Sequence, residues 1–169
     1  MLRLGVSVSV SAGAGRRGFK TVMELVEDAR SEVEELSVEE LEAKLASISP
    51  SSGCDETSGC DETSGCDETS GSGFRLIDIR DVRELERTGV IPGATHVPRG
   101  MLEFWLCESS KYWRGFDRSD SLVLYCGSGW RSALAARVLT SDLGFPHVAH
   151  LEPGITGWIK ANKPLQPHP

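Results

Sequence analysis

The sequence predicts an open α/β domain over residues 74–165, with a mostly parallel sheet covered by helices on both faces, preceded by a helical N-terminal segment. Strand-like apolar segments alternate with helix-like segments through this region, which is the pattern of a parallel α/β sheet. The run SLVLYC, residues 121–126, is apolar at nearly every position and therefore predicts a central strand buried on both faces.

The individual elements of this domain follow from the same alternation. Strands are predicted at residues 74–79, 93–97, 121–126 and 147–151, and helices at residues 81–89, 99–106, 131–144 and 155–162. The helix over 131–144 has Ala135, Val138 and Leu139 on one face and Gly144 as its stop signal.

The segment before this domain, residues 21–49, is acidic and predicts two helices. Ser37 and Glu40 have the spacing of a capping box that opens the second helix. Apolar residues recur at near-helical spacing in the first helix: Val22, Leu25, Val26, Ala29 and Val33. The many glutamates are expected to form a solvated face.

Residues 1–20 carry a net charge of +4 without an acidic residue and are rich in Ser, Gly and Val. This composition predicts a transit peptide and hence a mitochondrial protein. The alternatives are a secretory signal, a disordered tail of a cytoplasmic protein, and a start of translation at Met23.

Residues 50–73 predict a disordered linker. They contain three tandem copies of CDETSG, residues 54–71, and so polar a repeat cannot bury a core. Cys54, Cys60 and Cys66 are separated by five residues each, whereas structural zinc sites favour cysteine pairs two to four residues apart. We therefore expect no metal site and no cofactor.

Charge and cysteine content exclude several classes of protein. The formal net charge is −7, and residues 72–169 carry only +2, so the chain lacks the basic face of a nucleic-acid-binding protein. No apolar run is long enough to cross a bilayer, so we expect no membrane partner either. Five cysteines without a dense framework favour a reducing compartment over a disulfide-stapled secreted domain.

Cys126 is the candidate nucleophile, because it ends the predicted central strand, and ligands of α/β sheets bind at the carboxyl ends of strands. Gly127, Ser128 and Gly129 follow it and allow a tight turn, and a helix is expected to begin near Trp130. The unpaired N–H groups of that helix would face the sulfur. Helix N-termini and cations lower the pKa of a cysteine from about 8.5 into a range of about 3.5–7.5, which favours a thiolate.

Arg131 and Ser132 complete this loop and could bind an anionic group formed on the sulfur. The competing interpretation is a buried, inert structural cysteine. The glycines and the arginine around Cys126 argue against it. Cys107, which lies in the apolar stretch LEFWLC, is expected to be a core or near-core residue.

Four motifs of this domain resemble the single-domain rhodanese-like sulfurtransferase family. CGSGWRS (126–132) is similar to its active-site loop, and LIDIR (76–80) to its first strand ending in Asp-x-Arg. GVIPGATHVP (89–98) and HLEPGITGW (150–158) are similar to two further landmarks in the same order. Two positions depart from the family pattern. Val90 stands where the family usually has histidine, which alters an outer hydrogen bond, and Pro153 stands where it often has glycine, which stiffens a turn.

The resemblance implies a mechanism in which Cys126 takes a sulfur atom from a small anionic donor such as thiosulfate. It then passes the sulfur to a thiol, a sulfur-accepting protein or cyanide, in a ping-pong reaction. The substrate-binding residues are those of the loop: Gly127, Ser128, Gly129, Trp130, Arg131 and Ser132. Asp78 and Arg80 are implied to be structural supports, Arg80 by pairing with Glu84 or Glu86.

Two alternative functions remain open at this point. One is a dedicated persulfide relay or binding protein with little activity on thiosulfate. The other is a cysteine-based phosphatase or arsenate reductase on a similar fold. The loops of those enzymes have five residues between cysteine and arginine, whereas four separate Cys126 from Arg131. The sequence identifies neither the physiological donor and acceptor nor the oligomeric state.

Overall fold

The computed structural model describes residues 19–48 and 73–168. The predicted transit peptide (1–20) lies outside the described residues except for its last two positions, and the CDETSG repeat lies wholly outside them. The predictions made for these two segments stay predictions.

Six α-helices and five strands form the described part of the chain. In order they are α1 (Val22–Glu32), β1 (Glu34–Leu36), α2 (Val38–Ile48), β2 (Phe74–Asp78), α3 (Val82–Thr88), β3 (Ala94–His96), a 3₁₀ turn (Arg99–Met101), α4 (Leu102–Leu106), β4 (Ser121–Tyr125), α5 (Trp130–Ser141), β5 (Val148–Leu151) and α6 (Gly154–Lys160). The elements found after residue 73 are those that the sequence predicts, with differences only at their ends. Among the described helices, none combines the length and the apolar character needed to cross a membrane.

The five strands form one sheet in the order β1-β5-β4-β2-β3, and all neighbouring pairs are parallel. The predicted open parallel sheet is thus confirmed, with β4 at its centre. Because β4 is the middle strand, its carboxyl end lies at the centre of the side of the sheet where all five parallel strands end.

Two hydrophobic cores cover the two faces of the sheet, because successive residues of β4 point to opposite sides. Leu122 and Leu124 belong to the core that contains buried residues of α4 and α5. Val123 and Tyr125 belong to the core that contains buried residues of α2 and α6. Helices therefore cover both faces, as the sequence predicts.

The N-terminal segment joins the same sheet through a strand that the sequence did not reveal. The two predicted helices are α1 and α2, and the Ser37–Glu40 capping box forms at the start of α2. Between them, β1 pairs with β5, with Glu35 opposite His150. This strand has three residues, two of them exposed glutamates, and so lacks the apolar pattern by which strands are predicted. It is recognised only by its pairing with β5.

Candidate active site

Cys126 lies directly after the central strand β4 and is 1% exposed. The Ile79 N–H group donates a 3.1 Å hydrogen bond to the Tyr125 carbonyl, which ties the ends of β2 and β4 together. After Cys126 the chain turns at Gly129, whose φ of 84° is left-handed, and α5 begins at Trp130. The structure thus contains the predicted order of elements: a strand, the cysteine, a glycine turn and a helix.

The start of α6 holds the cysteine loop from the other side. The Ile155 N–H group donates to the Cys126 carbonyl at 2.9 Å, and Thr156 donates to the Gly127 carbonyl from its N–H group at 3.1 Å and its hydroxyl at 2.8 Å. Gly154 has a φ of 57°, and a Cβ atom there would lie 2.6 Å from the Gly127 oxygen. Hydrogen bonds from α6 therefore hold the loop backbone at the Cys126 and Gly127 carbonyls.

The first turn of α5 leaves backbone donors beside the cysteine. Ala133 is the first residue whose N–H group donates to a backbone carbonyl, that of Gly129 at 3.0 Å. Within the described chain, the N–H groups of Trp130, Arg131 and Ser132 donate to no acceptor. Such a helix start binds anions, because the N–H groups and the helix dipole both favour negative charge.

Arg131 forms a bidentate ion pair with Glu84 of α3. Its two terminal nitrogens lie 2.6 Å and 2.8 Å from the two carboxylate oxygens. The Arg131 hydrogen bond holds the pKa of Glu84 at about 2, against an opposing effect of burial. The Glu84 hydrogen bond in turn raises the pKa of Arg131 against desolvation, and the negative charge of a Cys126 thiolate adds to that rise. The guanidinium is thus anchored beside the cysteine loop.

Replacing Glu84 by glutamine is expected to lower the free energy of unfolding by about 1 kcal/mol at neutral pH, because both partners are partly exposed. A carboxyl whose pKa is depressed in the folded protein contributes stability above its ordinary value of 4.5. The difference between wild type and Glu84→Gln should therefore shrink as the pH falls from about 4.5 to about 2. Urea unfolding across this range measures it. The control is Glu86→Gln on the same helix, whose exposed side chain pairs with no cation in residues 19–48 and 73–168.

The other loop residues divide into buried and exposed ones. Ser132 is fully buried, and its hydroxyl donates to the Gly129 carbonyl at 3.0 Å and lies 3.7 Å from the Cys126 sulfur. Trp130 is 46% exposed, and Ser128 is exposed as well. Ser132 therefore lies against the sulfur on the buried side, whereas Trp130 and Ser128 face solvent at the mouth of the loop.

Asp78 and Arg80 form a buried ion pair at the end of β2. The Arg80 Nη2 atom lies 2.6 Å from Asp78 Oδ2, and Arg80 Nε lies 3.0 Å from Oδ1. Arg80 also donates to the Thr88 hydroxyl and the Gly89 carbonyl at the end of α3. The expected pairing of Arg80 with Glu84 or Glu86 is wrong, because Asp78 is two residues away on the same strand end and Glu84 is taken by Arg131.

Sequence reasoning missed His150, which is fully buried in β5 behind the cysteine loop. Its Nδ1 atom lies 3.5 Å from the Ser132 hydroxyl, and its Nε2 atom lies 3.2 Å from Glu35 Oε1 on β1. A histidine inside an otherwise apolar buried strand was the available signal, because buried polar groups need a partner. Which partner it finds depends on β1, which the sequence does not predict.

Cys107 lies at the end of α4, half-buried and outside both hydrophobic cores. Its sulfur lies 3.2 Å from the Ser109 hydroxyl, and this hydrogen bond lowers the pKa of the Cys107 thiol. Its position at the margin of the fold agrees with a near-core residue rather than a core one.

Comparisons with known proteins identify relatives across this domain. The family model described as "Rhodanese-like domain" matches residues 65–161. The chain is 32% identical over 83 residues to the candidate sulfur carrier protein YrkF of Bacillus subtilis (strain 168). The aligned region covers 49% of this chain and 40% of that protein. This chain thus spans less than half the length of that curated relative.

Two solved structures are similar to the described fold. A Rhodopseudomonas palustris CGA009 protein of unknown function, described as a possible tyrosine phosphatase, superposes with a TM-score of 0.70 at 31% identity, covering 96% of this chain and all of that one. A rhodanese-related protein from Thermoplasma volcanium superposes with a TM-score of 0.54 at 20% identity, covering 80% and 99%, and at that identity it shows the fold alone. The family model covers more than half of the chain, including β2 to β5 and the cysteine loop, and the chain therefore belongs to the rhodanese-like domain family.

Proposed function

We propose that this protein is a sulfurtransferase that carries sulfur as a persulfide on Cys126. The observation that carries the proposal is the position of Cys126 at the end of the central strand, beside the unpaired N–H groups that open α5. Membership of the rhodanese-like domain family and similarity to a candidate sulfur carrier support sulfur transfer as the class of chemistry. The donor is a small sulfane-sulfur anion such as thiosulfate, and the acceptor is a thiol or cyanide.

The reaction has two half-reactions at the same sulfur atom. The Cys126 thiolate attacks the outer sulfur of thiosulfate, the S–S bond breaks, and sulfite leaves with the bonding electron pair. Cyanide or a thiolate acceptor then attacks the outer sulfur of the persulfide, and the Cys126 thiolate leaves in its original state. A covalent intermediate between two separate substrates makes this a ping-pong reaction.

The loop provides what a persulfide anion requires. The N–H groups of Trp130, Arg131 and Ser132 are available donors, and donors fixed in advance stabilise a charge without reorganising when it forms. The Ser132 hydroxyl lies 3.7 Å from the Cys126 sulfur and can turn from the Gly129 carbonyl to donate to it. The Arg131 guanidinium, anchored by Glu84, contributes a positive charge at the mouth of the loop for an anionic donor.

A phosphatase is the weaker candidate, although the Rhodopseudomonas palustris protein is described as a possible one. Cysteine phosphatases on related folds place five residues between cysteine and arginine and use the guanidinium to hold a tetrahedral oxyanion. Here four residues intervene. Both Arg131 terminal nitrogens are also bound to the Glu84 carboxylate, which a phosphate group would have to displace.

A dedicated relay is the second alternative, in which Cys126 receives sulfur from a protein persulfide and reacts slowly with thiosulfate. The similarity to a candidate sulfur carrier is compatible with this version. It uses the same cysteine and the same intermediate and differs only in the donor.

Incubation of the reduced protein with thiosulfate is expected to add one sulfur atom to the peptide that contains Cys126, and cyanide should remove it. Intact mass followed by peptide mapping measures the gain. Cys126→Ser should take up no sulfur on this peptide, because the variant lacks the thiol of residues 126–132. Cys107→Ser is the matched control and should behave as wild type, since Cys107 lies outside the loop.

The outcomes separate the three functions. Sulfur uptake from a persulfidated cysteine desulfurase but not from thiosulfate identifies the relay. Cys126-dependent hydrolysis of an aryl phosphate, without sulfur uptake, identifies the phosphatase. Undiminished sulfur transfer by Cys126→Ser would refute the assignment of the nucleophile.

A further inference from the structure

A buried chain of polar groups leads from Cys126 to the N-terminal strand β1. The Cys126 sulfur lies 3.7 Å from the Ser132 hydroxyl, which lies 3.5 Å from His150 Nδ1. On the far side of the ring, His150 Nε2 lies 3.2 Å from Glu35 Oε1. Cys126, Ser132 and His150 are all buried, so bulk water is excluded from the contacts between them.

Charged groups face His150 from three elements. Glu35 comes from β1, Arg30 comes from α1 with its Nε atom 3.0 Å from Glu35 Oε1, and Glu152 follows β5 and pairs with the other end of Arg30. Two carboxylates and one guanidinium give this surrounding a net negative charge, which favours the protonated ring and partly offsets the opposing effect of burial. On the loop side, Cys126 is connected to the ring through the Ser132 hydroxyl.

His150 is in its base form at rest, and its burial opposes the charged form. Burial lowers the pKa of His150 and Arg30 acts in the same direction, while Glu35 and Glu152 act against them, so the resting ring is neutral. The carboxylate beside Nε2 favours the tautomer that carries its proton there, since the partner of one ring nitrogen decides which nitrogen is protonated. Nδ1 is then an acceptor, and it faces the Ser132 hydroxyl.

The resting arrangement leaves the ring incompletely satisfied. Within the described residues, His150 Nε2 and Arg30 Nε are buried and make no hydrogen bond of good geometry, although both lie within ion-pair distance of Glu35. Buried polar atoms are normally paired, and exceptions in native proteins commonly have a functional reason. An imidazolium would draw the carboxylate into alignment, because a charged donor strengthens this contact.

We propose that His150 accepts, through the Ser132 hydroxyl, the proton that Cys126 loses on becoming a thiolate, and that Glu35 positions and stabilises the resulting imidazolium. The Cys126 S–H bond breaks and its proton forms a new O–H bond on Ser132. The hydroxyl proton of Ser132, which is donated to the Gly129 carbonyl at rest, turns toward His150 and moves to its Nδ1 atom. A neutral thiol and a neutral imidazole become a thiolate and an imidazolium, and no other reactant is needed.

This inference rests on the proposed function only in taking the Cys126 thiolate as the nucleophile. It gives the N-terminal segment a role in the chemistry, because Glu35 and Arg30 belong to β1 and α1. His150 and Glu35 act through Ser132 and are therefore positioning residues, whereas Ser132 contacts the reacting sulfur. The three-residue β1 brings Glu35 opposite His150 through its parallel pairing with β5.

The test uses the full chain and measures the rate at which iodoacetamide alkylates Cys126, followed by peptide mapping from acidic to alkaline pH. His150→Gln is expected to slow alkylation by about 100-fold at neutral pH, which is the lower end of general acid–base contributions. The rate should recover at alkaline pH, where hydroxide removes the thiol proton directly. Glu35→Gln should slow it by about 10-fold with the same alkaline recovery, because a hydrogen bond to a charged group is lost. Glu34→Gln, an exposed neighbour on β1, is the control and should match wild type.

Overlapping pH profiles of wild type, His150→Gln and Glu35→Gln would overturn the proposal. So would a slowing by the same factor at every pH, which indicates a structural effect on the loop. Glu35 is partly exposed, so Glu35→Gln keeps the test decisive if His150→Gln does not fold. Alkylation needs no sulfur donor, so the two proposals can fail separately. A His150-dependent profile in a protein that takes up no sulfur would uphold the proton transfer from Cys126 to His150 and refute the proposed sulfurtransferase function.

Discussion

Gly129→Ala is expected to slow sulfur uptake by Cys126 by about 100-fold, since displacements of about 1 Å in an active site have effects of that order. A Cβ atom at this position would lie 1.9 Å from the Glu152 carbonyl oxygen, so either the loop or the turn after β5 must move. The left-handed φ of 84° adds about 1–2 kcal/mol for any residue with a side chain. Movement of Gly129 also displaces the carbonyl that accepts the Ser132 hydroxyl and the first N–H groups of α5.

Gly93→Ala separates the two contributions, because Gly93 has a φ of 80° but open space where a Cβ atom would lie. Both variants place a side chain at a left-handed φ, but only Gly129→Ala brings a Cβ atom against the Glu152 carbonyl oxygen. Urea unfolding should therefore show a larger loss of unfolding free energy for Gly129→Ala, and the mass assay with thiosulfate should show loss of sulfur uptake for it alone. Equal sulfur uptake by the two variants would mean that the loop tolerates the displacement.

Most of the fold was predictable because its determinants are local. An apolar run without alternation marks β4 as central, and cap residues mark the starts of helices, as Ser37 and Glu40 do for α2. The strand β1 was not predictable, because it has two exposed glutamates in three residues and forms only by pairing with β5, more than a hundred residues later in the chain. A contact of that separation leaves no periodicity in the sequence.

The site divides in the same way. The cysteine, its glycine turn and the helix that follows are consecutive, so their geometry follows from local rules. The pairings between distant segments do not follow from local rules. Arg131 pairs with Glu84, and His150 pairs with Glu35, because neighbouring strands of the sheet bring these segments together. The wrong partner for Arg80 has a different origin: Asp78 is only two residues away, and charge alone does not distinguish it from the glutamates of α3.

Arg80→Met is expected to lower the free energy of unfolding by about 3–5 kcal/mol, the usual effect of removing one partner of a buried ion pair. The side chains of Arg80 and Asp78 are 1% and 0% exposed. Methionine retains much of the apolar stem but leaves the Asp78 carboxylate without its partner. It also leaves the Gly89 carbonyl without its donor from Arg80. Equilibrium unfolding in urea measures the change.

Arg99→Met is the matched control, because Arg99 pairs with Glu103 one helical turn away and both side chains are about one-third exposed. The same substitution there should cost only about 0.3–0.5 kcal/mol, since solvent screens the pair. Adding Asp78→Asn to Arg80→Met removes the stranded charge and should restore part of the lost stability. If the double variant were as unstable as Arg80→Met, the loss would come from the Thr88 and Gly89 contacts at the end of α3 rather than from the buried charge. Arg80 would then act as a brace between β2 and α3, the helix that carries Glu84 to Arg131.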